Sequence, residues 1–324
     1  MNFTLLLQSG IAIATVFLFG CVGEILMEKA GHLNLGIPGV MCFGTLGGCL
    51  GVSIFMSNYA YDYSKAPWFG LMVVALLFSA LFSAIAGLIY GFLTVSLRAN
   101  QNVTGLALTT FGAGLADYFM NVIDKSSFSQ AAKIIRTCLP FAKNSDNWFI
   151  EIFFQHGFLV YFAIIISIIV AIVLRKTRVG LNLRAIGENP AAADAAGINV
   201  NLYKYIAILQ GSIIAGFGGL FYVMDYVGGS WENSNTIQAF GWLALALVIF
   251  TIWRSNLAIF GSIIFGVLYI LPSFVTGISF LQMKAMNLIP YIATVLVLIL
   301  TSIIGKKSVQ PPASLGLSYF REDR

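Results

Sequence analysis

The chain has 324 residues, 59% of them hydrophobic and only 10% charged, with a formal net charge of +5. A soluble domain carries about 25% charged residues, so a water-soluble globule is excluded. Continuous apolar runs of about 17 residues or more also exclude a transmembrane β-barrel, whose strands alternate, and the positive balance belongs to membrane-flanking loops rather than to nucleic acid.

Apolar runs near 5–27, 36–57, 69–96, 103–123, 158–174, 205–224, 237–253, 257–271 and 288–304 predict an all-α integral membrane protein. The expected fold is a polytopic bundle of about nine transmembrane helices in a single domain, residues 1–304, with a polar tail over 305–324. No basic n-region with a cleavage site precedes the first run, which is therefore expected to remain as an anchor. Glu24 and Glu28 are four apart and share a face at the end of that run. Glu28 beside Lys29 reads as an interfacial pair; Glu24, a turn deeper, requires a partner that the sequence does not name. Residues 28–39, EKAGHLNLGIPG, fit either a broken helix or a re-entrant turn covered by protein. Further on, Gly44 with Gly48, Gly47 with Gly51 and Gly87 with Gly91 have helix-packing spacing, used either inside one bundle or at a gating or dimer seam.

The fourth run is the most polar, with Asn102, Thr104, Thr109, Thr110 and Asp117. An aspartate at a span centre costs about 2.5–3.5 kcal/mol and less toward the interface, so Asp117 faces either a cavity or a hydrogen-bonded partner. Asn34, Asn102, Thr104, Thr109, Asp117 and Trp242 are the candidates for a solute pathway. Residues 124–157 read as a long loop.

Residues 175–204 are the one long polar stretch built to fold. Asn189 is a good helix N-cap, Pro190 suits the first helical position, alanines follow and Gly197 offers a stop. The spacing predicts a helix of about seven residues, roughly 10 Å long. Alone in water it is too short to persist, so it packs against something. An amphipathic helix lying on lipid is the alternative, opposed by Glu188 and Asp194, which suit anionic headgroups poorly. Arg175, Lys176 and Arg178 open the stretch and mark it cytoplasmic. Alternating the spans from there puts the N-terminus outside and the C-terminus inside. Of 18 basic residues only Lys65, Lys125, Lys133, Arg136, Lys143 and Lys284 then lie outside.

Cys21, Cys42, Cys49 and Cys138 form no C-x-x-C pair and, with two histidines, lack metal-ligand spacing. No phosphate-binding loop, G-x-S-x-G or H-E-x-x-H occurs. Covalent catalysis by this chain is not expected, and no cofactor or metal site is indicated. Asp117 alone would fit an ion-coupled secondary carrier, but such a carrier needs several intramembrane coupling groups and no docking helix.

Four passages, in order, resemble the membrane subunits of ATP-binding-cassette importers for branched-chain amino acids, ribose and nucleosides, and most of all the purine-nucleoside and simple-sugar branch. They are Glu28-Lys29-x-Gly31-x-x-Asn34-Leu35-Gly36; Arg184-Ala185-x-Gly187-Glu188-Asn189-Pro190-x-Ala192-Ala193 with Gly197-Ile198; Gly241-Trp242-Leu243-Ala244-Leu245-Ala246; and Pro312-Ala313-Ser314-Leu315-Gly316 with Tyr319, Arg321 and Glu322. Pro38 departs from the glutamate common in that branch. The resemblance implies a permease subunit that moves a nucleoside or simple sugar inward. It also implies cytoplasmic ATPases that bind ATP and Mg²⁺, a second permease subunit, identical or related, and an extracytoplasmic solute-binding protein docked on 124–157 and 225–236. Gly187, Glu188, Asn189, Pro190, Ala192, Ala193, Asp194 and Gly197 would form the ATPase-coupling segment.

Overall fold

Two helices without a polar face occupy the centre. In the computed structural model, which describes residues 3–143, 147–277, 279–304 and 310–320, α1 (Phe3–Glu28) is buried at every residue from Ile13 to Glu28. The next helix, α2 (Ile37–Ser57), is buried throughout from Ile37 to Cys49. A helix apolar on all sides belongs in a core. The chain continues as α3 (Trp68–Gly91), α4 (Gln101–Val122), α5 (Phe128–Ile135), α6 (Trp148–Phe154), α7 (Phe158–Lys176), α8 (Arg178–Glu188) and α9 (Pro190–Ala195). It closes with α10 (Val200–Phe221), α11 (Asn235–Phe250), α12 (Ser255–Ile270), α13 (Phe280–Met286) and α14 (Ile289–Ile304), and no strand occurs among the described residues. Single π-helical turns, Phe92–Ser96 and Tyr222–Tyr226, end α3 and α10. Outward faces are apolar, as lipid requires: Leu77 on α3, Ile169 on α7 and Phe260 on α12 are all exposed.

Among the described residues seven helical stretches are long and apolar enough to cross a membrane, rather than the nine expected. The difference lies in α4 and α11. The 22 residues of α4 reach about 33 Å, but Gln101, Asn102, three threonines and Asp117 lower its hydropathy. The 16 residues of α11 reach only about 24 Å, against a hydrocarbon core of about 30 Å.

The spaced glycines are used inside this bundle. Gly44 abuts Gly216 and Gly48 abuts Leu220 on α10; Gly47 and Gly51 meet Phe78 on α3; Gly87 meets Ser212 on α10. Backbones there approach too closely for a side chain, which is how helices gain dispersion energy in lipid. Neither α1 nor α2 is broken. Residues 29–36 form a tight connection between two complete helices, with Gly31 at φ +84° and Ala30, His32 and Asn34 buried. The 124–157 segment is more than a loop: α5 turns Phe128, Ala131, Ala132 and Ile135 inward, a one-face helical pattern.

Candidate functional site

Polar contacts between elements gather at one end of the bundle, where α8 and α9 sit. Thr177 Oγ1 accepts from Gly180 N at 3.1 Å and starts α8. Asn189 Oδ1 accepts from Ala192 N at 2.9 Å and starts α9, with Pro190 in first position. Gly197, at φ +81°, ends the segment in the left-handed conformation that glycine adopts without strain. The short helix thus has six residues where about seven were expected. The preceding α8 was not anticipated, because its buried face is Gly180, Leu183, Ile186 and Gly187. Two glycines on that face leave no hydrophobic period to read.

Part of what α9 packs against is its own chain. Ala193 is buried with Ile186 and Val200 in a small cluster covered by Tyr203 and Tyr319. Gly187 lies on the backbone of Lys29 and Gly31. The tail then ties these pieces together. Ser314 N donates to Gly187 O at 2.9 Å and its hydroxyl reaches the same carbonyl, while Gly316 N donates to Gly31 O at 3.2 Å. Gln101, at the start of α4, accepts from Leu33 N at 2.9 Å and donates to Leu317 O at 3.3 Å. Tyr319 Oη donates to Asp194 Oδ2 at 2.7 Å, and Arg98 lies 4.8 Å from the centre of the Phe320 ring. A cleft of about 510 Å³ opens beside this strap, between Arg98, Asp194, Asn199, Asn201 and Tyr319. The other side of α9 is bare: Glu188, Asn189, Ala192, Ala195 and Gly197 are exposed. Arg321 and Glu322 of the tail passage lie outside the described residues.

Beneath the strap, the acidic end of α1 is resolved into specific pairs. Glu24 Oε1 accepts from Asn34 N at 2.8 Å, the partner that the sequence left unnamed. Glu28 does not pair with Lys29; its Oε2 accepts from Trp253 Nε1, 225 residues away. The ion pair among the described residues is Lys65 with Asp62, at 3.4 Å. Trp253 and Ile252 both take positive φ, 53° and 54°, a strained conformation for such side chains. His32 is buried against Tyr90, ring centres 6.4 Å apart, with neither ring nitrogen hydrogen-bonded. Burial, and then the charge of Lys204, holds its pKa well below the ordinary value, so the imidazole is neutral.

The pathway candidates do not converge. Asn34 is fully buried and its Oδ1 accepts from Gly36 N at 2.9 Å, while Thr109 Oγ1 donates to Leu35 O at 2.9 Å. Both fasten the α1–α2 connection, Thr109 from α4. Thr104 lines a cavity of about 330 Å³ with Tyr90 and Phe111. Asn102 and Trp242 are both exposed. Asp117 has found a partner: Ser234 N donates to its Oδ1 at 2.8 Å and Ser234 Oγ to its Oδ2 at 2.7 Å. Gln101 and Trp253 escaped the sequence reading, and Ser314 entered it only as part of the tail passage, because each acts on a backbone or side chain remote in the chain, which no local spacing reveals.

Several relatives of this chain are named as transporter permeases. The nucleoside ABC transporter permease protein NupC of Lactococcus lactis is 29% identical over 95% of this chain and 94% of its own length. The guanosine ABC transporter permease protein NupQ of Bacillus subtilis is 28% identical over 99% and 98%. The putative glucose ABC transporter permease protein TsgC13 of Haloferax volcanii is 30% identical over 81% and 75%. ATP hydrolysis in such transporters belongs to separate ATPase subunits, so this chain is a transport subunit and not an enzyme. Residues 6–304 match the family described as branched-chain amino acid transport system / permease component, and the chain belongs to that family of ABC transporter permeases.

Proposed function

We propose that this permease subunit carries a nucleoside or simple sugar inward through nine spans, with α4 and α11 completing the seven of sufficient length and hydropathy. The α8–α9 end and the C-terminal tail face the cytoplasm and the N-terminus faces outside. The bias of basic residues supports this orientation. On this reading 1–304 is one membrane domain, and a second permease subunit faces α4. That helix exposes a mixed face on which Asn102 and Thr110 stand among Val103, Leu106 and Phe111. The solute would pass along the same face. A solute-binding protein docks at the opposite end, on 124–157 and 225–236.

The bare alanine face of α9 is the observation that carries the proposal. A six-residue helix with one side packed and the other open has the form of a peg for a groove on another protein. The ATPase holds residues 187–197, and closure of the ATPase pair pulls on the bundle, so ATP binding biases a two-state element. A secondary carrier is disfavoured because both oxygens of Asp117 are already occupied by Ser234. Replacement of 188–194 by a Gly-Ser linker should abolish co-purification with the ATPase and ATP-driven uptake of labelled nucleosides and sugars in vesicles. Uptake without ATP, or undiminished by the linker, would refute the proposal.

A further inference from the structure

Four cations converge on one cleft at the α8–α9 end. Lys29, Arg175, Arg184 and Arg254 line a cavity of about 220 Å³, whose floor includes Trp253, Ser255 and Asn256 and whose wall includes Ala171 and Leu174 of α7. Among the described residues none of the four lies within ion-pair distance of a carboxylate. Ser255 and Asn256 begin α12, and a helix start presents open N–H groups and a partial positive charge. Ser255 is only 3% exposed, and among the described residues its hydroxyl has no hydrogen-bond partner. Burial, opposed by Glu188 and Glu28 and reinforced by Arg184 and Arg254, lowers the pKa of the Lys29 amine. An anion in the cleft would relieve that crowding.

The surroundings of the cleft say what kind of anion fits. It opens between α7 and α12, whose outer faces carry exposed Ile168, Ile172 and Ile264 and therefore meet acyl chains. The same seam continues away from the cleft as a shallow, mainly apolar surface crevice of about 20 Å³, lined by Leu18, Val160, Ile164, Ile259 and Ile263 with Thr15 and Ser262, along which a chain can lie but not sink. A charged cup beside a shallow apolar crevice on a lipid-facing seam matches one ligand: a phosphodiester whose hydrocarbon tail lies against the exposed faces of α7 and α12.

We propose that the cleft binds an anionic phospholipid, its phosphate among Lys29, Arg175, Arg184 and Arg254 and one acyl chain along the α7–α12 crevice. This goes beyond the transport reading and does not depend on which solute is carried.

The test uses the full chain in phosphatidylcholine nanodiscs and fluorescent phosphatidylglycerol as probe, with fluorescent phosphatidylcholine as comparison. Phosphatidylglycerol should bind saturably and phosphatidylcholine should not. A basic residue near the headgroups contributes about 1 kcal/mol, so Arg254→Gln and Arg175→Gln should each weaken binding about fivefold. Arg254→Lys should stay within about twofold, and Lys133→Gln, on α5, should change nothing. Ile164→Trp, which fills the crevice without touching a charge, should also release the lipid; it keeps the test open if an arginine variant fails to fold. Equal binding of the two lipids, or full affinity in both Arg254→Gln and Ile164→Trp, overturns the proposal. Glycerol phosphate binding as tightly as the intact lipid would make this a free-phosphate site and overturns it too. So does displacement of the lipid by ATPase subunits, which would make the cleft a protein contact.

Discussion

Replacing Asn189 by alanine removes one hydrogen bond, the 2.9 Å contact from Ala192 N that starts α9. An N-cap of this kind is worth about 1 kcal/mol, about fivefold in the ratio of formed to unformed helix. Long helices absorb such a loss. Here the helix has six residues and few other supports, namely the buried Ala193 and the bond from Tyr319 to Asp194. Asn189 is exposed, so the substitution leaves the membrane core intact and the protein should still accumulate normally. Reconstituted with its ATPase and binding protein, Asn189→Ala should transport up to about fivefold less solute per ATP hydrolysed. Asn189→Asp and Asn189→Ser, which keep a capping oxygen, should recover most of it. Wild-type coupling in the alanine variant, or no recovery with aspartate, would show that the capped helix is not the transmitting element.

Gly187→Ala places a methyl group on the Lys29 carbonyl. Because that neighbour is backbone, the α8 contact with the α1–α2 connection must open, at about 1–3 kcal/mol; uptake should fall while the ATPase still binds, as read by co-purification and flux. Asp117→Asn keeps a carbonyl oxygen for Ser234 N and should leave ATP-driven uptake near normal, whereas Asp117→Leu strands the buried Ser234 donors and should cost about 1–3 kcal/mol, seen as a lower Tm; a carrier coupled through Asp117 would instead die with asparagine. His32 and His156 lie in connections outside the spans, and burial is the first cause lowering each pKa. Unfolded histidine protonates near pH 6.5, and the folded ones only at lower pH. Their stabilising contribution is therefore complete above about pH 6.5 and is lost as pH falls below it, by up to about 1.4 kcal/mol per histidine per pH unit. Thermal unfolding in detergent from pH 7.5 to 5.5 should show the decline, and His32→Gln with His156→Gln should flatten it; an equally steep slope in the double variant would remove the histidines as its cause.

Part of what depended on local chemistry was readable in advance, although the Thr177 cap of α8 was not read. The cap at Asn189, the proline after it and the stop at Gly197 each act within a few residues, and all stand where the spacing put them. Long apolar runs were equally legible, because a helix in lipid satisfies its own backbone. Reading failed where glycine carries the packing. The inward face of α8 is half glycine, so it has no hydrophobic signature although it fits closely against Lys29. Asp117 was legible as a residue in need of a partner, but Ser234 is 117 positions away, and nothing in either neighbourhood names the other. Glu28 misled for the opposite reason: an adjacent lysine offered an obvious pair, and the fold used an indole instead.

Asp117 with Ser234 aside, these distant bonds between elements share a direction. Glu24 with Asn34, Gln101 with Leu33 and Leu317, Ser314 with Gly187, and Tyr319 with Asp194 all cross from one element to another at the α8–α9 end. Elsewhere the seams between α1, α2, α3 and α10 are apolar or glycine-lined. Apolar contacts tolerate sliding, because dispersion is weakly directional; a hydrogen bond does not, because it weakens steeply with angle. On the transport reading a pull on α9 would pass through the tail to the α1–α2 connection and to the start of α4, while the deeper seams would be free to shear. On that reading, the division is what a lever requires: stiffness where force enters, and sliding surfaces where the pathway opens.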